Sequence, residues 1–303
     1  MKNQKPGTTN QKPVPTISQA IAEGAHRLQA GSIDQERLTA GILLCHVLGI
    51  DRTYLLTRSE EQVNEDSYRR YLALIDRRAT GEPLQYITGH QEFYGLDFAV
   101  TRDVLIPRPE TEFLVEKVIE LVRESRKPSP LIVDLGTGSG CIAVTVALQL
   151  PGAHIIALDS SNAALDVARV NAEQHGARDR IEFVEGDLLG PLRAGHFERA
   201  VDILASNPPY VAEDSPELVQ RQVSDWEPHA ALFAGSDGLD FYRRLLPEAP
   251  RYLKPDGYLV FEIGYGQLSA ILSLIDRSAL ELVDVTNDLQ GLPRTITARP
   301  RVA

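Results

Sequence analysis

Asn207-Pro208-Pro209-Tyr210 joins two hydrogen-bond acceptors and an aromatic ring on a stiff backbone. Each proline fixes its own φ and drives its predecessor into an extended conformation, so neither helix nor β-ladder continues through the segment. The Asn207 side-chain carbonyl and the Pro208 backbone carbonyl are thereby pointed away from local pairing. A planar NH2 conjugated to a carbonyl or an aromatic ring is a poor nucleophile, because its lone pair is delocalised. Two oxygens that each accept one of its N–H groups orient that nitrogen and favour the positive charge it develops on attack. Tyr210 can stack on the planar group. Asn207, Pro208 and Tyr210 are therefore candidate catalytic residues, and the whole tetrapeptide, Pro209 included, a candidate substrate grip. The alternative is a strand-ending turn with a buried tyrosine.

A second constellation is Asp134-Leu135-Gly136-Thr137-Gly138-Ser139-Gly140, which leaves an apolar run and enters Cys141-Ile142-Ala143. Glycines let a strand-to-helix turn close tightly and let a ligand approach where a Cβ would collide. A nucleotide-type cofactor over this turn is one reading and a plain structural turn the other. Gly138-x-Gly140-x-x-Ala143 also satisfies the dinucleotide fingerprint, so two cofactor classes remain open here. Asp159 ends the next apolar run about 25 residues beyond Asp134, near the offset of an acid that binds ribose hydroxyls. The same aspartate can serve as an N-cap for the helix that follows. Asp187, after a third run, can accept from an adenine amino group or act as a turn residue.

The elements around these residues follow from hydrophobic periodicity. From Ile17 to about Ala79 the spacing is helical throughout, and Ser32-x-x-Gln35 reads as a capping box. Gly81-Glu82-Pro83 breaks that pattern. Phe93-Tyr94 and Phe98-Ala99-Val100 then flank Gly95-Leu96-Asp97 as a hairpin. A helix spans about 109–124, with Glu110 and Glu112 at the positive end of its dipole. Beyond it, short apolar runs at 131–133, 155–158, 181–184, 201–205, 258–261, 280–283 and 295–298 alternate with helical stretches. Such alternation predicts a doubly wound, mostly parallel α/β sheet covered on both faces. Four segments are expected: a disordered tail (1–15), a helical domain (16–85), a hairpin connector (86–108) and the α/β domain (109–303).

The Asp-Leu-Gly-x-Gly-x-Gly arrangement resembles the first motif of S-adenosylmethionine-dependent methyltransferases, and Asn207 to Tyr210 resembles the tetrapeptide of those that act on planar nitrogens. Within that set, Leu105 to Glu112 is similar to the segment that marks release-factor glutamine methyltransferases. So are Gly81 to Gly89, Glu92 to Gly95, Glu227-Pro228 with Ala231-Leu232, Asp237 to Leu239, and Phe261 to Gly264. The resemblance runs from about Ile17 to the C-terminus. It implies a seven-stranded methyltransferase sheet joined through a hairpin to a small helical, substrate-recognising domain. It also implies methyl transfer from S-adenosylmethionine, leaving S-adenosylhomocysteine, to the glutamine amide of the Gly-Gly-Gln loop in class I peptide chain release factors. Cofactor contacts would then come from Gly136, Thr137, Gly138, Ser139, Gly140, Asp159, Asp187, Leu188 and Asn207. Leu188 stands where the family often has an aromatic residue, so stacking on the adenine is given up there.

Composition narrows the classes. The chain has 303 residues and a formal net charge of -11. That average field repels a sheath of phosphates, and no basic run is interleaved with aromatics, so direct nucleic-acid binding is not expected. The N-terminus lacks an apolar signal core, and the apolar stretch from Leu131 to Leu150 is broken by Asp134 and glycines. Together these predict a cytoplasmic protein without a membrane role. Cys45 and Cys141 are too few for a disulfide framework, His46 and His90 lack partners at ligand spacing, and no metal is expected. Cys141 at a helix start reads as a packing residue, and Trp226 either covers the site or packs. A ribosomal-protein glutamine methyltransferase shares the tetrapeptide but usually departs from Pro109-Glu110-Thr111-Glu112. A nicotinamide-dependent oxidoreductase or a non-catalytic binding module leaves Asn207 to Tyr210 unexplained.

Overall fold

The computed structural model describes residues 14–214 and 221–301. The chain divides into two compact units, residues 1–88 and 89–303. The expected disordered tail lies outside the described residues except for Val14 and Pro15.

The first unit is helical: α1 (Ile17–Ala30), α2 (Glu36–Leu48), α3 (Arg52–Thr57), α4 (Glu65–Ala79) and α5 (Leu84–Thr88). Its core joins Ala20 and Leu28 of α1, Leu43 and Leu44 of α2, and Tyr71 and Ile75 of α4. The buried Tyr71 hydroxyl donates to the Ala20 carbonyl at 3.2 Å, so burying the phenol leaves no orphan donor. A capping box does occur, but at Thr16 and Gln19 ahead of α1. The expected box at Ser32 and Gln35 does not form. Ser32 and Ile33 donate back to Gln29 and Leu28 to close α1, and Gln35 enters α2 in the left-handed region with no side-chain cap.

The second unit begins with β1 (His90–Phe93) and β2 (Leu96–Ala99), an antiparallel hairpin. Its turn is Tyr94-Gly95, both at positive φ (54° and 73°), the pair that suits the twist of a tight hairpin. Phe93 and Phe98 are buried in the core of this unit. There follow α6 (Thr111–Ser125), β3 (Leu131–Leu135), α7 (Cys141–Gln149), β4 (His154–Asp159), α8 (Asn162–Gln174), β5 (Ile181–Glu185), α9 (Gly190–Ala194) and β6 (Val201–Ser206). Then come α10 (Arg221–Trp226), α11 (His229–Leu232), α12 (Asp240–Tyr252), β7 (Leu253–Glu262), α13 (Leu268–Asp276), β8 (Leu280–Asn287) and β9 (Pro293–Pro300).

The sheet is seven-stranded, in the order β5-β4-β3-β6-β7-β9-β8. The strands β3 to β7 are parallel, and β9 runs antiparallel between β7 and β8. Successive strand residues face opposite sides, as the pleat requires. Ile132, Ile155 and Ile203 pack under α6 and α7 on one face. Val133, Ile156 and Leu204 pack under α12 and α13 on the other. Strand order reverses between β3 and β6, and the crevice beyond their carboxyl ends is where an open α/β sheet takes a ligand. Among the described residues no helix is long and apolar enough to cross a membrane.

Candidate active site

The glycine loop leaves β3 at that crevice. Gly136 and Thr137 N–H groups donate to the Leu158 carbonyl at 2.8 and 2.9 Å, binding the turn to β4. Gly138 has φ 53° and open space where a Cβ would stand, so its backbone is accessible to a ligand. Gly140 (φ 79°) caps α7, and a Cβ there would come within 3.0 Å of the Ala168 Cβ, so helix packing demands glycine. Asp159 accepts from the Gly138 N–H and the Ser161 N–H, each at 2.9 Å. It braces the glycine loop, and the N-cap of α8 is Ser161, not Asp159.

Asp134 is buried and does not line the cavity described below. One oxygen accepts from the Thr137 hydroxyl at 2.6 Å and the Ala143 N–H at 3.1 Å. The other has no hydrogen-bond partner among the described residues. Burial pushes this carboxyl up to about 7 against those two donors, and the charge of Asp159 adds to the rise.

Beyond β6 the Ser206 hydroxyl donates to the Leu135 carbonyl at 2.7 Å, which ties the ends of β3 and β6 together. Asn207 Nδ2 donates to Thr111 Oγ1 at 2.8 Å, and Thr111 donates onward to Glu262 Oε2 at 2.7 Å. Asn207 Oδ1 is buried with no partner among the described residues. The Tyr210 hydroxyl donates to Glu262 Oε1 at 3.3 Å, and Tyr242 donates to the Glu262 carbonyl at 2.8 Å. Burial pushes the Glu262 carboxyl up to about 7, offset by Thr111, Arg294 and Tyr210 and reinforced by Glu110. Burial and the neighbouring Glu262 push the Tyr210 phenol well above its ordinary value. Gln267 donates to the Tyr210 carbonyl and accepts from Gly264 N–H, both at 2.9 Å, and so fastens the end of the tetrapeptide.

These two segments face one cavity of about 550 Å3. Gly136, Thr137, Gly138, Ser139, Asp159, Asp187, Leu188, Asn207 and Pro209 line it. Gly140, Pro208 and Tyr210 do not: Gly140 starts α7, Pro208 is buried, and Tyr210 turns its hydroxyl to Glu262. Leu188 takes a left-handed backbone (φ 49°), and Asp187 is ion-paired with Arg244. Cys141 touches the cavity, but burial and then Asp134 push its thiol up to about 12, which suits packing and not nucleophilic attack. Trp226 lies under the Arg102 guanidinium, 4.4 Å from the ring centroid, and does not line the cavity. His90 meets Asp97 at 3.0 Å. Among the described residues no three His, Cys, Asp or Glu side chains are grouped to hold a metal ion.

The walls also contain residues to which the sequence alone attached no role. Thr111, Phe233 and Phe241 are three of them. Arg108 is another, held by Glu227 at 2.5 Å while Glu227 also accepts from the Ile106 N–H at 3.1 Å. That buried acid joins the Glu227-Pro228 segment to the Leu105 to Arg108 segment. Gln267 and Glu262 act from behind the wall. Glu262 stood in the sequence only as part of the family-like segment Phe261 to Gly264, with no role attached, and Gln267 follows just after it.

Residues 19–89 match the family model described as the PrmC N-terminal domain, and residues 110–226 match the methyltransferase small domain. The chain is 44% identical over 286 residues to the release factor glutamine methyltransferase of Koribacter versatilis, covering 94% of this chain and 98% of that one. It is 45% identical to the enzyme of the same name from Moorella thermoacetica, covering 86% and 89%. Among solved structures it resembles a methyltransferase from Pyrococcus furiosus (TM-score 0.50, 16% identity, 69% of this chain and 91% of that one). It also resembles the hMettl16 catalytic domain (TM-score 0.51, 17% identity, 77% and 81%), and both likenesses speak for the fold alone. With that share of sequence spanning nearly all of both chains, this protein belongs to the release factor glutamine methyltransferase family.

Proposed function

We propose that this chain transfers a methyl group from S-adenosylmethionine to the side-chain amide nitrogen of a glutamine, the one in the Gly-Gly-Gln segment of class I peptide chain release factors. The names of its relatives support the substrate. The observation that carries the chemistry is Asn207 Oδ1, a buried acceptor without a partner among the described residues, on a side chain that lines the switch-point cavity. A buried carbonyl left unpaired costs free energy unless a ligand donor completes it. A glutamine NH2 is such a donor.

The cavity fits the methyl donor. Its glycine turn is open on the ligand side, Asp159 stands at the end of the neighbouring strand, and Asp187 and Leu188 form a further wall. S-adenosylmethionine supplies there a methyl carbon made electrophilic by its sulfonium. The protein's part is positioning. Asn207 Oδ1 accepts one amide hydrogen, and the Pro208 carbonyl, although Pro208 itself does not line the cavity, is assigned the other; together they hold the nitrogen with its lone pair toward the electrophile. Their dipoles also favour the positive charge that grows on nitrogen during transfer. Neither is a strong base, so proton loss follows methyl transfer and goes to water. Pro209 stiffens the grip and Tyr210 anchors it through Glu262. The helical unit, which carries no catalytic constellation, is assigned to release-factor recognition, and the cytoplasm is the expected place of work.

The test is mass spectrometry of a tryptic release-factor peptide after incubation with this protein and S-adenosylmethionine. One added methylene on the Gly-Gly-Gln glutamine is expected. An unmodified release factor alongside a methylated ribosomal protein would move the substrate to the rival branch.

A further inference from the structure

We propose that Thr111 and Glu262 are positioning residues that decide which end of the Asn207 amide faces the cavity, and that protonation of Glu262 reverses the choice. The proposal rests on Asn207 being the acceptor for the substrate amide.

The argument is a count of protons. Thr111 has one hydroxyl hydrogen, and it goes to Glu262 Oε2 at 2.7 Å. With that hydrogen committed, Thr111 Oγ1 can only accept from Asn207, which must therefore turn its NH2 to the threonine; the contact is 2.8 Å. The carbonyl end is then the end left over, and Asn207 Oδ1 is buried without a partner among the described residues. An asparagine turned by half a rotation about its last side-chain bond would present N–H donors to a substrate that also presents N–H donors. Donor against donor gives no grip.

Two donors keep Glu262 an acceptor. Thr111 bonds one carboxylate oxygen and the Tyr210 hydroxyl the other, so both stay filled only while the carboxylate is ionised. The charged and titratable groups facing it come from every side. Arg294 of β9 favours the anion, while Glu110 ahead of α6 opposes it. Tyr242 of α12 and Cys141 of α7 are neutral neighbours whose own ionisation its charge suppresses. Complete burial among these groups pushes the carboxyl up to about 7. A proton on Oε2 makes Glu262 the donor, Thr111 then gives its hydrogen to Asn207 Oδ1, and the amide turns its Nδ2 to the cavity. Turnover therefore falls as pH drops through the titration of Glu262, with the grip intact on the alkaline side.

The experiment measures kcat for release-factor methylation on both sides of neutrality for the wild-type chain, Thr111→Val, Thr111→Ser and Glu262→Gln, with S-adenosylhomocysteine affinity measured alongside. Thr111→Val is expected to lose about 10²-fold in kcat with unchanged cofactor affinity, and Thr111→Ser to recover most of it. Glu262→Gln is expected to lose the acid-side fall in rate that wild type shows, at a lower plateau. A Thr111→Val enzyme with wild-type kcat, or an acid-side fall that survives in Glu262→Gln, overturns the relay. If wild type methylates no glutamine at all, the assignment of Asn207 and of the substrate fails instead. If wild type is active and Asn207→Ala is dead while Thr111→Val is normal, only the relay fails.

Discussion

Asp202 and Glu262 lie on neighbouring parallel strands, both nearly free of solvent at 4% and 1% exposure, yet their surroundings are opposite in kind. Asp202 stands near the start of β6. Lys127 and Lys254 ammonium groups reach it at 2.7 Å each, and the Leu131 N–H adds a third bond at 2.9 Å. Burial alone would raise its carboxyl; the two lysines and that N–H hold it below the usual range. Glu262, at the end of β7, meets hydroxyls and no lysine or arginine at ion-pair distance among the described residues, and its carboxyl is pushed up to about 7. Asp134 at the end of β3 shares that fate, with one oxygen unpartnered among the described residues. The amino end of the sheet has only to hold together, so its charge is neutralised in place. The carboxyl end borders the cavity, and there Asn207 Oδ1 and one Asp134 oxygen lack partners among the described residues, while burial holds Asp134 and Glu262 near their tipping point.

The sharpest way to break this contrast is Asn207→Ala. If unfilled acceptors at the carboxyl end exist for substrate, their removal should cost catalysis and little else. We expect methyl transfer to fall by about 10²- to 10³-fold, the scale seen when one positioned hydrogen-bonding group is deleted. Melting temperature and S-adenosylhomocysteine affinity should stay near wild type. Normal turnover in this variant would remove Asn207 from the mechanism.

Asp202→Ala probes the other end and should give the mirror result. It removes the Asp202 partner of Lys254, leaves Lys127 only its pair with Asp256 at 2.8 Å, and leaves the Leu131 N–H without its acceptor. Both lysines are a quarter to a third exposed and can turn toward water, so the loss should be below that of a fully buried pair. About 2 kcal/mol of stability is the expected cost, read from denaturant unfolding. Turnover by the folded fraction should be unchanged. A catalytic defect without a stability defect would contradict the division of labour between the two ends.

Much of this architecture was legible in the residue order, and the exceptions have physical causes. The strands showed because parallel sheets buried on both faces need continuous apolar runs such as Ile155 to Leu158. The crevice showed because Asp134 to Gly140 and Asn207 to Tyr210 each follow such a run. By contrast, α12 carries Pro247 and Pro250 in its interior, which local propensity counts against any helix. Its amphipathic burial of Tyr242, Leu245 and Leu246 overrides that cost. The Thr111–Asn207–Glu262 chain was hidden for another reason. Its members stand 96 and 151 positions from Thr111 to its two partners, and only the folding of α6 against the ends of β6 and β7 makes them neighbours.

The same two ends predict opposite slopes of stability with pH. Asp134 and Glu262 have folded values near 7, above the ordinary 3.8 and 4.5 they regain on unfolding. The native state therefore binds more protons than the unfolded chain between those limits, and stability falls as pH rises through that window. Asp202 is depressed, so its contribution is present above its unfolded value and lost as pH falls through the folded one. Melting temperature against pH should show both limbs. Glu262→Gln should flatten the upper limb and leave the acid limb in place, whereas Asp202→Asn should do the reverse. Identical curves for the two variants would mean that the ends do not differ as described.

The smallest effect belongs to a charge pair at the carboxyl end that is not buried. Asp187 and Arg244 line the cavity, but their side chains are 69% and 55% exposed. An exposed pair gains little Coulomb energy in water and gives up side-chain freedom, so Arg244→Ala should change stability by no more than about 0.5 kcal/mol. Its effect should appear in ligand binding. Freed of Arg244, Asp187 keeps both oxygens for a donor in the cavity, but it also loses the partner that holds it at the wall. These changes oppose each other, and S-adenosylhomocysteine affinity should move by less than about tenfold, or 1.4 kcal/mol. Calorimetric titration of Arg244→Ala and Asp187→Asn separates them. If Asp187→Asn weakens binding while Arg244→Ala does not, the aspartate meets the ligand directly and the arginine is incidental. Equal losses in both would make the pair itself the binding element, and exposure would then be a poor guide to which charges at this end of the sheet matter.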